Sequence, residues 1–148
     1  MTKYYFDNTN KLIKYIKERL EAPTQIKVDL SIYLLWAYYY ALARSNNFTP
    51  EELCPVAFKA SQTGPKPVFL NAGQNEKHKI NRDINKVLNR MLKQINLLDD
   101  YNLIALCKYD SAYHNALSRE DGMLDKNEIF EDYLKHFQEN IKRAEKNK

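Results

Sequence analysis

Between Asp29 and Arg44 the chain reads Leu-Ser-Ile-Tyr-Leu-Leu-Trp-Ala-Tyr-Tyr-Tyr-Ala-Leu-Ala, fourteen residues without a charge. Wound as a helix, this stretch is apolar or aromatic all the way round. A helix with no water-facing stripe must be surrounded by other elements. A membrane span would need roughly 20 apolar residues, and this run is shorter. The stretch therefore predicts a buried central rod over about residues 30–44, wrapped by the rest of the chain.

What surrounds the rod is predicted to be helical as well. With 148 residues the chain has length for one domain with a real core. Only 3 glycines and 5 prolines argue against an all-β design, which needs many turns. The expected class is mostly α, a compact single domain over residues 1–148. A minor β element is expected near 56–70, with frayed ends at 1–8 and 142–148. Cys54 and Cys107 are too few and too isolated for a disulfide scaffold. The start, Met1 to Asp7, has no long apolar run, so no signal peptide is expected and a cytoplasmic location follows.

Periodicity places the other elements. Leu12, Ile13, Ile16 and Leu20 share one face of a helix over about Asn10–Leu20, closed by Pro23. Asp29 is the expected N-cap of the central helix, and Ser45-Asn46-Asn47 ends it. Thr49-Pro50-Glu51-Glu52 has the pattern of a cap, a first-turn proline and a capping-box glutamate, which predicts a short helix. Pro55–Ala60 and Val68-Phe69-Leu70 read as short extended pieces. Gly64-Pro65-Lys66-Pro67 between them reads as an irregular turn, because two prolines fix φ and lack donors. Asn71–Glu76 reads as a loop. From about Lys79 to Asn96, Ile80, Ile84, Val87, Leu88, Met91, Leu92 and Ile95 fit a helix without a miss. Asp99-Asp100 caps a short helix carrying Leu103, Ile104 and Leu106, and another spans Ser111–Leu117. Asp125 and Glu128 open a last helix whose face is Ile129, Phe130, Tyr133, Leu134, Phe137 and Ile141.

Motifs for chemistry are sparse. His78, His114 and His136 show no metal-ligand spacing, and no Cys-x-x-Cys occurs. Asp121, Asp125 and Asn127 hint at a calcium loop, but Gly122 is misplaced and no ligand series follows. No nucleophile elbow, phosphate-cradling glycine loop or cofactor fingerprint occurs. A Cys107–His114 nucleophilic pair lacks an obvious orienting group, so Cys107 reads as a small buried side chain. The expectation is a protein that is not an enzyme, with no metal and no cofactor.

Charge is more informative. The overall net charge is +4, but Lys59–Leu98 alone carries +6, between flanks of +1 and −3. Such a basic island can steer an acidic partner. Arg82, Lys86, Arg90 and Lys93 fall on one face of the long helix, opposite its apolar positions. Such a row is a solvated surface by default. It can also meet an acidic protein or, with less support, track phosphates. Tyr38, Tyr39 and Tyr40 each turn about 100° from the last, so at least one must approach the surface and could anchor a partner; Tyr39 is the candidate.

The order of these features resembles the Panacea domain, found in SocA-like antitoxins and phage-associated proteins. Leu34-Leu35-Trp36 is similar to the family's Leu-Leu-Tyr, and Ala60-Ser61-Gln62-Thr63-Gly64-Pro65 to its Ala-Trp-x-x-Gly-Pro. Leu106 to Ala116 keeps the spacing of its Leu-Thr-His-x-x-x-Pro-Trp-x-x-Ala stretch, with Tyr113 in place of Trp. Ile129 to Tyr133 resembles its closing helix. Ile32-Tyr33 replaces Gln-Lys, Lys66 replaces Val, and Cys107-Lys108 replaces Thr-His, so a polar network built from those family residues cannot take the same form here. The resemblance covers roughly Lys11 to Phe137. It implies a helical domain that neutralises a protein by stoichiometric binding, as an antitoxin, phage-type inhibitor or adaptor. The partner would be a toxin, a protease or a host defence protein. The expected surface is Arg82, Lys86, Arg90 and Lys93 with the turn at Gly64, Pro65 and Lys66. A nucleic-acid-binding regulator using the same basic face is the alternative, and a hydrolase centred on Cys107 is a more distant one.

Overall fold

The computed structural model describes residues 4–70 and 82–146, with side chains of the last helix through His136. The loop expected at Asn71–Glu76 and the helix start at Lys79 lie outside the described residues. Helices α1 (Thr9–Arg19) and α2 (Gln25–Asn46) are followed by strands β1 (Val56–Ser61) and β2 (Gly64–Phe69). Then come α3 (Arg82–Asn96), α4 (Asp100–Lys108), α5 (Ser111–Leu117) and α6 (Lys126–Lys146). The class is mostly α with one small antiparallel hairpin, as the sequence predicts.

The aromatic rod is α2, and it packs against α1, α3, α4, α6 and β2. From Leu30 to Ala43 every residue but Tyr38 and Leu42 is buried. Trp36 stacks on Tyr40, ring centroids 4.7 Å apart, while Phe58 of β1 sits edge-on to Tyr33 at 5.1 Å. No helix among the described residues is long and apolar enough to cross a membrane.

The helix starts earlier than Asp29. Thr24 is the N-cap, its hydroxyl accepting from Lys27 N–H at 3.1 Å, and Asp29 lies inside the helix, accepting from Gln25 Nε2. The added turn has a tertiary reason: Lys27 Nζ donates to the Leu98 carbonyl at 2.7 Å, just past the end of α3. The same cation reaches Asn96 O at 3.5 Å, a carbonyl that the last turn of α3 leaves open. At the other end Asn47 closes α2 in the left-handed conformation.

Two further expectations are corrected. Thr49–Leu53 forms bends, not a helix, because tertiary partners hold its carbonyls: Tyr39 Oη donates to Pro50 O and Phe6 N to Leu53 O. The second bond also stitches the chain start into the core, where Tyr5 and Phe6 are buried instead of frayed. At the far end, α6 continues through Lys146, so residues 142–146 are helical.

Gly64-Pro65-Lys66-Pro67 belongs to β2, and the register shows why two prolines are tolerated. Ala60 N donates outward to Gly122 O and Phe58 O accepts outward from Leu124 N, at 2.8 and 2.9 Å. Their cross-strand partners Pro65 and Pro67 therefore also direct their backbone nitrogens away from the hairpin. Proline is permitted on an edge strand at such positions, and two missing donors leave that edge poorly suited to pair with another strand. Gly64 has φ +102°, and a Cβ there would lie 3.1 Å from Leu30 Cδ2. Gly64→Ala is expected to cost about 2–3 kcal/mol through backbone strain and overpacking. A thermal melt matching wild type would contradict this.

Helix α3 uses its circumference in four ways. Ile84, Leu88, Leu92 and Ile95 enter the core. Asn85, Asn89 and Asn96 face α1, accepting from Tyr15 Oη and Arg19 Nε at 2.6 Å each and, through Asn96 Oδ1, from Glu21 N at 3.0 Å. Arg82, Lys86 and Lys93 point to solvent. Val87 and Met91, predicted as core, are only partly buried, because they line a cleft.

Candidate functional site

That cleft is a cavity of about 570 Å³ bounded by α2, α3, α4 and α6. Leu34, Tyr38 and Leu42 stand at four-residue steps along α2 and make one wall. Val87, Arg90, Met91 and Gln94 of α3 face them, and Leu98 and Leu106 extend the apolar surface. The volume suits a small molecule or a few side chains of a partner. Mixed lining with few polar groups gives such a site its orientation. Arg90 supplies a cation at the exposed edge, and Asp110, Tyr133 and His136 supply polar chemistry at the other boundary.

Asp110 is the unusual member. It occupies the N-cap position of α5, where an aspartate normally accepts from the helix's first N–H groups, yet its side chain makes no capping bond. Asp132 Oδ2 of α6 instead accepts from Ala112 N at 2.9 Å, so the helix start is satisfied from outside. The Asp110 carboxylate is turned inward, where Oδ2 accepts from Tyr33 Oη at 2.6 Å and Tyr133 Oη at 3.0 Å. The residue is 5% exposed. Burial raises its pKa above the ordinary value, opposed by the two tyrosine hydrogen bonds, raised further by the Asp132 charge and lowered by His136. The same burial, helped by the neighbouring Asp110 charge, pushes both tyrosines well above their usual range.

The residues singled out from sequence are divided by the fold. Arg82, Lys86, Arg90 and Lys93 are all exposed on α3 and, among the described residues, none forms an ion pair. Gly64 and Pro65 are buried, so they cannot present a rigid turn to a partner. Lys66 is exposed directly opposite Lys59 on the hairpin, whose β2 strand packs on α2 and α4, whereas α3 packs on α1 and α2. Tyr39 is 1% exposed and edge-on to Tyr5 at 5.4 Å, so it is a core residue. The tyrosine that approaches the surface is Tyr38, half-buried on the cleft wall.

Cys107 is buried, and burial assisted by the Asp110 charge pushes its thiol far above the ordinary range, away from nucleophilic use. His114 is exposed. The three residues of the calcium-like stretch have other duties: Asp121 accepts from Met123 N, Asp125 caps α6 through Glu128 N, and Asn127 accepts from Arg44.

Sequence reasoning missed Asp110 as a site residue. The signal available was weak: eleven tyrosines need acceptors for their hydroxyls, and few carboxylates lie among apolar neighbours. Comparisons with protein-family models, with curated proteins and with solved structures gave no match.

Proposed function

We propose that this chain is a non-enzymatic protein-binding domain, an antitoxin-like or phage-type inhibitor or adaptor that neutralises an acidic partner by stoichiometric binding. The observation that carries the reading is Arg90, which stands both in the exposed cationic row of α3 and on the wall of the apolar cleft. Charge and apolar surface adjoin there, the combination that steers encounter and then retains the partner. Exposed aromatic residues flank Leu106 of the cleft wall along the chain: Tyr101 in α4 and Tyr109 at its C-cap are 79% and 82% exposed. Tyrosines in such positions are frequent anchors at interfaces. The resemblance to Panacea domains points to the same class of activity, a small domain that occupies another protein.

The test is charge reversal. Arg82→Glu, Lys86→Glu and Arg90→Glu together should weaken partner capture roughly tenfold or more, mainly through slower association, with helicity unchanged by circular dichroism. Unchanged capture would remove α3 from the interface. The alternative, a nucleic-acid-binding regulator, draws on the same four exposed cations. It would show instead as duplex DNA binding that falls steeply with salt. An apolar cleft beside the row favours a protein.

A further inference from the structure

We propose that the cleft is also a binding site for a small organic ammonium ion with an apolar body, held by the Asp110 carboxylate. This does not rest on the protein-binding reading. Asp110 is 95% buried, lines the cavity, and gives both its tyrosine hydrogen bonds to one oxygen. Its Oδ1 takes no hydrogen bond from any described side chain and is not among the wholly enclosed unpartnered atoms. An oxygen left open beside a cavity can accept from a donor that enters it. The diversion of the side chain from the cap it would ordinarily form, with Asp132 taking over that duty, shows that local structure does not require it to face inward.

The cavity specifies the rest of the ligand. An N–H donor carrying positive charge complements Oδ1 and relieves the burial of the carboxylate. The rings of Tyr133 and His136, 5.3 Å apart, line the same end and give an ammonium group an aromatic surrounding. Leu34, Met91 and Leu106 along the walls accept an aliphatic or aromatic body. Arg90 disfavours a second positive charge, so the ligand is a monocation. A carboxylate of this kind is absent from the exposed cationic row, so the two features recognise opposite charges at different depths.

The experiment compares n-hexylammonium, 1-hexanol and hexanoate by calorimetric titration of the full chain. Saturable binding of hexylammonium, roughly tenfold tighter than hexanol and tighter still than hexanoate, is expected. Affinity should rise roughly fourfold per methylene from propyl- to hexylammonium as the walls are covered. Asp110→Asn, which keeps an acceptor for the tyrosines, should lose the preference for ammonium over alcohol. Leu106→Trp, at a half-exposed position distant from the carboxylate's hydrogen bonds, should block binding by filling the cleft and serves if Asp110→Asn does not fold. Absence of saturable hexylammonium binding, equal binding of hexanol, or binding retained in Leu106→Trp would each overturn the proposal.

Discussion

Trp36→Ala is expected to destabilise the domain by about 3–5 kcal/mol, the range for removing a fully buried large aromatic. For a domain whose total stability is of order 5–15 kcal/mol, this brings the chain close to unfolding at ambient temperature. The cause is local and specific. Trp36 is inaccessible to solvent, stacked on Tyr40, tilted against Phe58 at 5.4 Å, and overlain by Lys126 Nζ at 5.4 Å from its ring. Alanine would leave a void where α2, β1 and α6 meet, and the helical backbones around it cannot close fully. Trp36→Phe should cost less, about 1–2 kcal/mol. Its ring fills part of the space, and the indole Nε1 it removes has no acceptor among the described residues. Urea denaturation reads both; an alanine variant within about 1 kcal/mol of wild type would contradict the packing described.

Asp110→Ala should cost about 2–5 kcal/mol, because two buried tyrosine hydroxyls lose their acceptor at once. Asp110→Asn retains an oxygen there and should cost less than about 1 kcal/mol at neutral pH. The pH dependence follows from the direction of the Asp110 shift. Its folded pKa lies above the ordinary value of 3.8, so the folded state holds the proton more tightly than the unfolded chain. The stability this group contributes is fully present below 3.8 and is lost as pH rises through the folded value. Wild type minus Asp110→Asn should therefore be most favourable to wild type in acid and decline toward neutrality. A difference that grows with pH would mean that the carboxylate is stabilised as an anion by its neighbours, contrary to the desolvated site described.

Periodicity made most helices legible, since Leu12 and Ile16, Ile84 and Leu88, and Ile129 and Tyr133 all repeat at helical spacing and are buried. The rod was legible for a different reason, the lack of any polar stripe. What stayed hidden depends on contacts distant in sequence. Thr24 outcompetes Asp29 as a cap because Lys27 then reaches the end of α3. Pro65 and Pro67 looked incompatible with a strand, but that objection lapses once Gly122 and Leu124 pair with the opposite edge of the hairpin. Tyr5 and Phe6 carry no local sign of burial beyond being aromatic.

For the site, the cationic row of α3 followed directly from spacing, while the cleft beside it did not. A cleft exists where helices fail to touch, and no single-helix pattern encodes that. Val87 and Met91 matched the core template as well as Ile84 did, yet they face the gap. Tyr38 and Tyr39 could not be told apart from composition; 100° of rotation places one on the cleft and the other under Tyr5.

Native-state hydrogen exchange along α2 tests most directly whether the domain is organised around an enclosed aromatic helix. Amides from Ile32 to Ala41 should exchange only through global unfolding, at the full stability of the protein, while those of α4 near Tyr101 open more readily. Exchange in α2 as fast as in α4 would contradict an enclosed rod and, with it, the assignment of binding to the outer helices.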